Sequence, residues 1–77
     1  MIDLKKARLE AGLTQKQLAD IIGRSAQAVR FWEWGQRQPN LISTCKLINY
    51  FKSQSIEVPL SLKRIHQTYT EALSPIA

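Results

Sequence analysis

The spacing of one small residue, one glycine and one branched residue within residues 15–35 most constrains the fold of this chain. Two short helices cross at a steep angle only where the first carries a small residue at the crossing, and Ala19 stands at that position. Gly23 follows where the chain must turn, and Val29 follows where the second helix needs an apolar anchor. Leu18, Ile22 and Trp32 extend the same apolar seam. Each feature is weak alone, but together in register they predict two helices joined by a tight turn.

Capping residues and glycines divide the first half of the chain into three short helices. Thr14 and Gln17 fit a capping box, in which each side chain accepts a hydrogen bond from the other residue's backbone N–H. Ser25 is a good N-cap for the next helix. Gly12, Gly23 and Gly35 are spaced so that each can end a helix. We expect helices over about residues 4–11, with Asp3 as a candidate N-cap, then 14–22 and 26–34.

The second half of the chain predicts a fourth helix and a segment with two interpretations. Asn40 can cap a helix over about residues 41–52, and Pro59 suits the start of a fifth helix. The expected apolar faces are Ile42, Cys45, Leu47, Ile48 and Phe51 on the fourth helix, and Leu62, Ile65, Tyr69 and Leu73 on the fifth. Apolar residues also alternate over residues 56–62, so an extended strand between two copies is the alternative. The helix is favoured, and residues 74–77 are expected to fray.

The length and composition indicate one all-α domain. The 77 residues suffice for a single modest core, and a hydrophobic content of 44% is ordinary for a globular chain. We expect residues 1–77 to form one compact domain of four to five helices. The two crossing helices occupy about residues 15–35, and residues 59–77 are a candidate dimerisation element.

The charge of the chain suits a polyanionic partner. The formal net charge is +5 and the isoelectric point is near 9.8. Between residues 21 and 56 five cations accompany a single anion, Glu33, so most of the excess lies in the middle of the chain. The surface of an ordinary soluble protein can also carry a net charge of this size. It is therefore the position of the positive charges in the chain, and not their number, that favours nucleic acid as the partner.

The residue types needed for catalysis or metal binding are scarce. Cys45 and His66 are the only residues of their kinds, so the sequence has too few such residues for a zinc-ligand cluster, and we expect no Cys/His dyad. We expect no enzyme activity, no metal and no cofactor. The lone cysteine suits a reducing cytoplasm, and no apolar run or leader-like segment suggests a membrane. The expected location is the cytoplasm, and the nucleoid when bound to DNA.

A longer set of residues resembles a known family. The set comprises residues 4–8 (LKKAR) and 12–19 (GLTQKQLA), then Gly23, Ser25, Val29, Trp32, Glu33, Gly35 and Pro39. This pattern resembles the XRE-like family of phage repressor and Cro-type helix-turn-helix proteins over about residues 4–51. The resemblance implies a compact, lambda-repressor-like domain of four or five helices that binds double-stranded DNA.

The resemblance also implies roles for individual residues. The third helix is the recognition helix, and its base-contacting positions are Ala26, Gln27, Arg30 and Phe31. Phosphate contacts are expected from Gln15, Lys16, Arg24, Ser25 and Arg37. Gln15 also braces the recognition helix, and Arg8 pairs with Glu33 as a structural ion pair. Lys46 and Lys52 could instead lie on the far surface.

Two residues depart from the family pattern. Arg24 occupies a turn position that is usually small and apolar, so the turn is more open or Arg24 reaches a phosphate. Trp34 occupies a position that is commonly small and polar, and it cannot face the core together with Trp32. We expect Trp34 to be partly exposed, where it covers the Arg37 loop, stacks on the DNA backbone or contacts a second subunit.

The function that these observations predict is transcriptional regulation. A Cro-like repressor would bind a palindromic operator as a homodimer and exclude polymerase. The alternatives are a controller protein of a restriction-modification operon, or an antitoxin that binds a toxin and uses DNA binding for autoregulation. Only residues 53–77 are available to clamp a toxin, which favours the regulator.

Overall fold

Five helices make up the part of the chain that the computed structural model describes, residues 1–73. They are α1 (Ile2–Glu10), α2 (Gln15–Ile22), α3 (Ala26–Trp34), α4 (Leu41–Ser53) and α5 (Leu60–Leu73). Within residues 1–73 there is no strand, which confirms the all-α prediction. The side chain of Leu73 and the expected frayed residues 74–77 lie outside the described part.

The caps predicted for α2, α3 and α4 are confirmed. The Gln17 amide donates to Thr14 Oγ1 over 3.1 Å, and the Thr14 amide donates to Gln17 Oε1 over 2.9 Å. Ser25 Oγ accepts from the Ala28 amide, and Asn40 Oδ1 accepts from the amide three residues on. These bonds satisfy amides that have no partner within their own helix, so each start is determined locally.

The core is built by two packed pairs of helices that α1 joins. α2 packs mainly on α3, α4 packs mainly on α5, and α1 contacts both α3 and α5. The fully buried apolar side chains are Leu4, Leu18, Ala19, Val29, Leu47, Phe51 and Leu62. Because this cluster draws on all five helices, α5 is part of the folded unit and its inner face is not free.

The inner face of α4 differs from the expected one. Ile42 was expected on this face, but it is 66% exposed, while Ser43 and Thr44 are buried. The buried stripe of α4 contains Thr44, Leu47 and Phe51, with Cys45 and Ile48 half-buried beside it. Burial of the two hydroxyls is tolerated because Thr44 donates to the Pro39 carbonyl and Ser43 accepts from Arg24.

The segment before α5 is not a strand, and Asp3 does not cap α1. α5 begins at Leu60, and the Pro59 carbonyl accepts from the amides of residues 62 and 63, so the extended alternative is wrong. α1 begins at Ile2 with Met1 as its N-cap. Asp3 Oδ2 instead accepts from the Ser61 amide over 2.8 Å, in the first turn of α5. Asp3 therefore caps a helix that begins more than fifty residues away.

Loss of this cap is expected to weaken the fold in a pH-dependent way. Burial alone raises the pKa of Asp3, but hydrogen bonds from the Ser61 amide and hydroxyl and from the Leu4 amide outweigh it and hold the pKa below its ordinary value. The carboxylate therefore stabilises the fold above the unfolded-state pKa of about 3.9. This stabilisation is lost as the pH falls through the lowered folded-state value.

Asp3→Ala should lower the free energy of unfolding by about 0.5–2 kcal/mol at pH 7. Urea unfolding of both proteins at pH 7 and pH 3 measures the difference, which should shrink at the lower pH. Asp20→Ala is the matched control, because Asp20 is exposed and makes only a 3.6 Å pair with Lys16. A difference for Asp3→Ala that stays constant with pH would show that the charge of Asp3 contributes nothing.

Candidate nucleic-acid interface

The turn between α2 and α3 is closed tightly. Gly23 has a φ of 73°, a left-handed conformation that residues with a side chain rarely adopt. The Arg24 amide donates to the Ala19 carbonyl over 2.8 Å, which completes the turn. The prediction that Arg24 makes this turn more open is therefore wrong.

A buried ion pair holds the far end of α3. Arg8 Nε donates to Glu33 Oε2 over 2.7 Å and Arg8 Nη2 donates to Glu33 Oε1 over 3.1 Å, with side-chain exposures of 8% and 2%. Arg8 Nη1 also donates to the Leu13 carbonyl, and Gln15 Nε2 donates to Glu33 Oε1 over 3.1 Å. Glu33 thus joins α1, the start of α2 and the end of α3, so the orientation of α3 is determined at both ends.

α3 has one buried and one exposed face. Val29, Trp32 and Glu33 are buried, while Gln27 and Arg30 are exposed on the opposite side. Ala26 and Phe31 are half-buried and lie at the two edges of the exposed face. The structure thus exposes two of the four residues expected to contact bases and places the other two beside them.

An open groove of about 560 Å³ runs beside the start of α3. Its lining combines residues of α3 with the loop before α4: Arg24, Ser25, Gln27, Ala28, Phe31, Trp32, Arg37, Gln38 and Asn40. Ser25 and Asn40 mark two helix N-termini at this groove, where backbone N–H groups and the helix dipole favour negative charge. Two arginines and two helix starts make the groove suited to an anion.

The two arginines of the groove are held by neighbouring groups. The Arg24 guanidinium carbon lies 5.4 Å from the centroid of the Trp32 ring, and Arg24 Nη1 donates to Ser43 Oγ over 3.0 Å. The Arg37 guanidinium carbon lies 5.4 Å from the centroid of the Phe31 ring. Each such contact contributes about 0.5–1 kcal/mol at an exposed site. Because both cations are already positioned, binding an anion orders them at a smaller entropic cost.

Comparison with known proteins decides the family. A family model described as helix-turn-helix matches residues 4–57, which is well over half of the chain. The chain belongs to the XRE-type helix-turn-helix family. As such it is a DNA-binding transcription regulator, and its five helices fit the lambda-repressor-like fold. No curated protein and no solved structure gave a significant match.

The remaining phosphate candidates of this helix-turn-helix protein lie on α2. Lys16 is well exposed, and its 3.6 Å pair with Asp20 is weak enough to be exchanged for another anion. Gln15 is half-buried at the first position of α2. Its side-chain nitrogen carries two hydrogens, one of which is donated to Glu33. The second hydrogen is available to an external acceptor.

Three polar residues near the helix-turn-helix were not expected there. Gln38 and Asn40 line the groove next to Arg37, although the sequence suggested only a capping role for Asn40. The Lys46 ammonium lies 3.9 Å from the point where a Cβ of residue 23 would stand, so Lys46 is beside the turn and not on the far surface. A polar loop followed by a cap was the only sequence signal for the first two, and Lys46 had none.

Other kinds of site are not found in the described residues. Among residues 1–73 no three side chains of His, Cys, Asp or Glu come together as metal ligands. Within the same residues no helix has the length and apolar character needed to cross a membrane.

Proposed function

We propose that this chain is a Cro-like repressor that binds a palindromic operator as a dimer, with α3 in the major groove. The observation that carries the proposal is the exposed pair Gln27 and Arg30 on α3, beside a groove that holds Arg24 and Arg37. A polar face flanked by cations suits an element that reads bases while its neighbours hold phosphates.

Each of the four residues of α3 proposed to contact bases has a chemically suited partner in the major groove of DNA. Gln27 can bond N6 and N7 of adenine, and Arg30 can bond O6 and N7 of guanine. Ala26 and Phe31 can contact thymine methyl groups from the edges of the face. Phosphates on either side are held by Gln15, Lys16, Arg24, Ser25 and Arg37, and by the amides that begin α2 and α4.

The second subunit would repeat the same contacts about one helical turn away, roughly 34 Å along the DNA. We assign contact between subunits to the outer side of α5, while residues 74–77 of the candidate dimerisation element lie outside the described part. Leu62 and Ile65 of α5 are buried in the core, whereas Leu60 is 56% and Tyr69 is 37% exposed. Tyr69 is nine residues, or two and a half helical turns, from Leu60, so it lies on the same side of α5 as Leu62 and Ile65. Leu60, on the opposite side, is therefore the apolar side chain of the described residues that we propose meets a partner.

Selection from random duplex DNA at near-physiological salt tests this function. Enrichment of a palindrome supports a dimeric, sequence-reading regulator, and its half-site spacing reports the dimer geometry. Retention without an enriched sequence, or no retention, would contradict the repressor and favour the antitoxin alternative, which a pull-down of a co-expressed toxin would then test.

Arg30→Ala and Arg37→Ala should weaken DNA binding in different ways. Arg30→Ala is expected to reduce affinity for the selected site by about 1–3 kcal/mol and to relax the preference at one base pair. Arg37→Ala should weaken binding to every sequence and lower the salt dependence by about one counterion. Titration of selected and scrambled duplexes at several salt concentrations measures both. Equal loss on both duplexes for Arg30→Ala would show that Arg30 touches only phosphate.

A further inference from the structure

Trp34 is a large aromatic side chain left in solvent at the last position of α3. Its exposure is 65%, whereas Trp32 two residues earlier is 2% exposed. Gly35 follows with a φ of 76° and ends the helix, so the backbone under Trp34 is well determined. The Arg37 guanidinium lies over the ring of Phe31, so the aromatic contact that the structure gives for Arg37 is with Phe31.

Trp34 lies on the same face of α3 as the residues proposed to read bases. Seven residues separate it from Gln27, which at 3.6 residues per turn leaves a rotation of only about 20°. Arg30 lies between them on this face. The other strongly exposed apolar side chains belong to α1, α2, α4 and α5. Trp34 therefore extends the surface of α3 that is proposed to face DNA, whereas the other exposed apolar residues lie on different helices.

The position of Trp34 along the axis suggests which part of DNA it meets. At 1.5 Å per residue Trp34 lies about 10 Å beyond Gln27 along α3. The major groove is about 12 Å wide, so a residue this far from the inserted end reaches the groove's edge, where the sugar-phosphate backbone runs. An indole ring offers an apolar face to deoxyribose and one N–H donor to a phosphate oxygen.

We propose that Trp34 is a further DNA-contacting residue, which packs on a sugar and donates its indole N–H to a phosphate at the edge of the major groove. This inference rests on the proposed function, since it requires α3 to enter that groove. It predicts a distinctive behaviour. The contact carries no charge, so it leaves the salt dependence unchanged, and it touches no base, so it acts equally on every sequence.

Titration of labelled selected and scrambled duplexes tests the contact. Trp34→Ala should weaken binding to both by about fivefold to tenfold, about 1–1.4 kcal/mol at 1.4 kcal/mol per decade, with the same salt slope as wild type. Trp34→Phe keeps a ring but loses the donor and should fall between wild type and Trp34→Ala. Leu9→Ala is the matched control, because Leu9 is 58% exposed on α1 and should leave affinity unchanged.

Tryptophan fluorescence provides an independent measurement. Trp34→Phe leaves only the buried Trp32, so the difference from wild type isolates the signal of Trp34. DNA should protect this signal from acrylamide, whereas raising the protein concentration without DNA should not. Sedimentation and thermal unfolding of the variants should match those of wild type.

Three results would overturn the inference. Unchanged affinity of Trp34→Ala for both duplexes would exclude the contact while leaving the proposed function intact. Protection by protein concentration alone, together with a change in oligomeric state, would assign Trp34 to a contact between copies. Absence of DNA binding by the wild-type protein would remove the proposed function and this inference together.

Discussion

Arg8→Met is expected to lower the free energy of unfolding by about 3–5 kcal/mol. The substitution leaves the Glu33 carboxylate in a site where its side chain is 2% exposed, with only the Gln15 amide still donating to it. It also removes the donor to the Leu13 carbonyl. A chain of 77 residues has a total stability of between about 4 and 12 kcal/mol, so this loss is a large share of it.

Urea unfolding followed by circular dichroism measures the loss, and two further variants identify its cause. The double variant Arg8→Met/Glu33→Leu should recover most of the stability, because it removes the buried charge together with its partner. Lys16→Ala breaks the exposed pair with Asp20 and should change stability by no more than about 0.5 kcal/mol. If Arg8→Met alone also changes the free energy of unfolding by no more than about 0.5 kcal/mol, the Arg8–Glu33 pair does not hold the end of α3.

Leu62→Ala is expected to lower the free energy of unfolding by about 2–5 kcal/mol. Leu62 is fully buried within the core cluster, and truncation removes its packing and leaves a cavity. Leu60→Ala is a control matched in residue type and helix, because Leu60 is 56% exposed. Its effect on stability should stay within about 0.5 kcal/mol.

The comparison of the two leucines tests the assignment of α5. Sedimentation of Leu60→Ala, at a concentration where the wild-type protein self-associates, should show weaker association if the outer side of α5 contacts a second subunit. A change by Leu62→Ala as small as that expected for Leu60→Ala would contradict the burial of α5 in the core. It would indicate that this helix is an appendage to the first four and not part of their core.

The sequence by itself predicted the elements whose signals are local. A capping box reaches three residues, so Thr14 and Gln17 sufficed to predict the start of α2. The turn at Gly23 needs only a left-handed residue after a helix, and the spacing from Ala19 to Val29 needs only helical periodicity. For the same reason the exposure of Trp34 was predicted correctly from the burial of Trp32.

The sequence was a poorer guide to which side of a helix is buried and to which residues form hydrogen bonds with each other. The sequence suggested Ile42 for the inner face of α4, since it is one of the apolar residues that recur along this helix. The tertiary structure buries Ser43 and Thr44 instead, because Arg24 and the Pro39 carbonyl lie where these hydroxyls need hydrogen-bond partners. Which side of a short helix is exposed to solvent therefore depends on the neighbouring elements and not on the helix's own pattern of apolar residues.

Pairs of residues far apart in the chain were decided only by the tertiary structure. Asp3 caps α5 because α1 passes beside the start of that helix, and Lys46 approaches the turn at Gly23 because α4 packs across it. A local sequence pattern contains no information about such long-range contacts, since each contact depends on how all five helices pack in one core. The sequence determined where helices begin, end and turn, and the packing of the core decided which polar side chains stand beside α3.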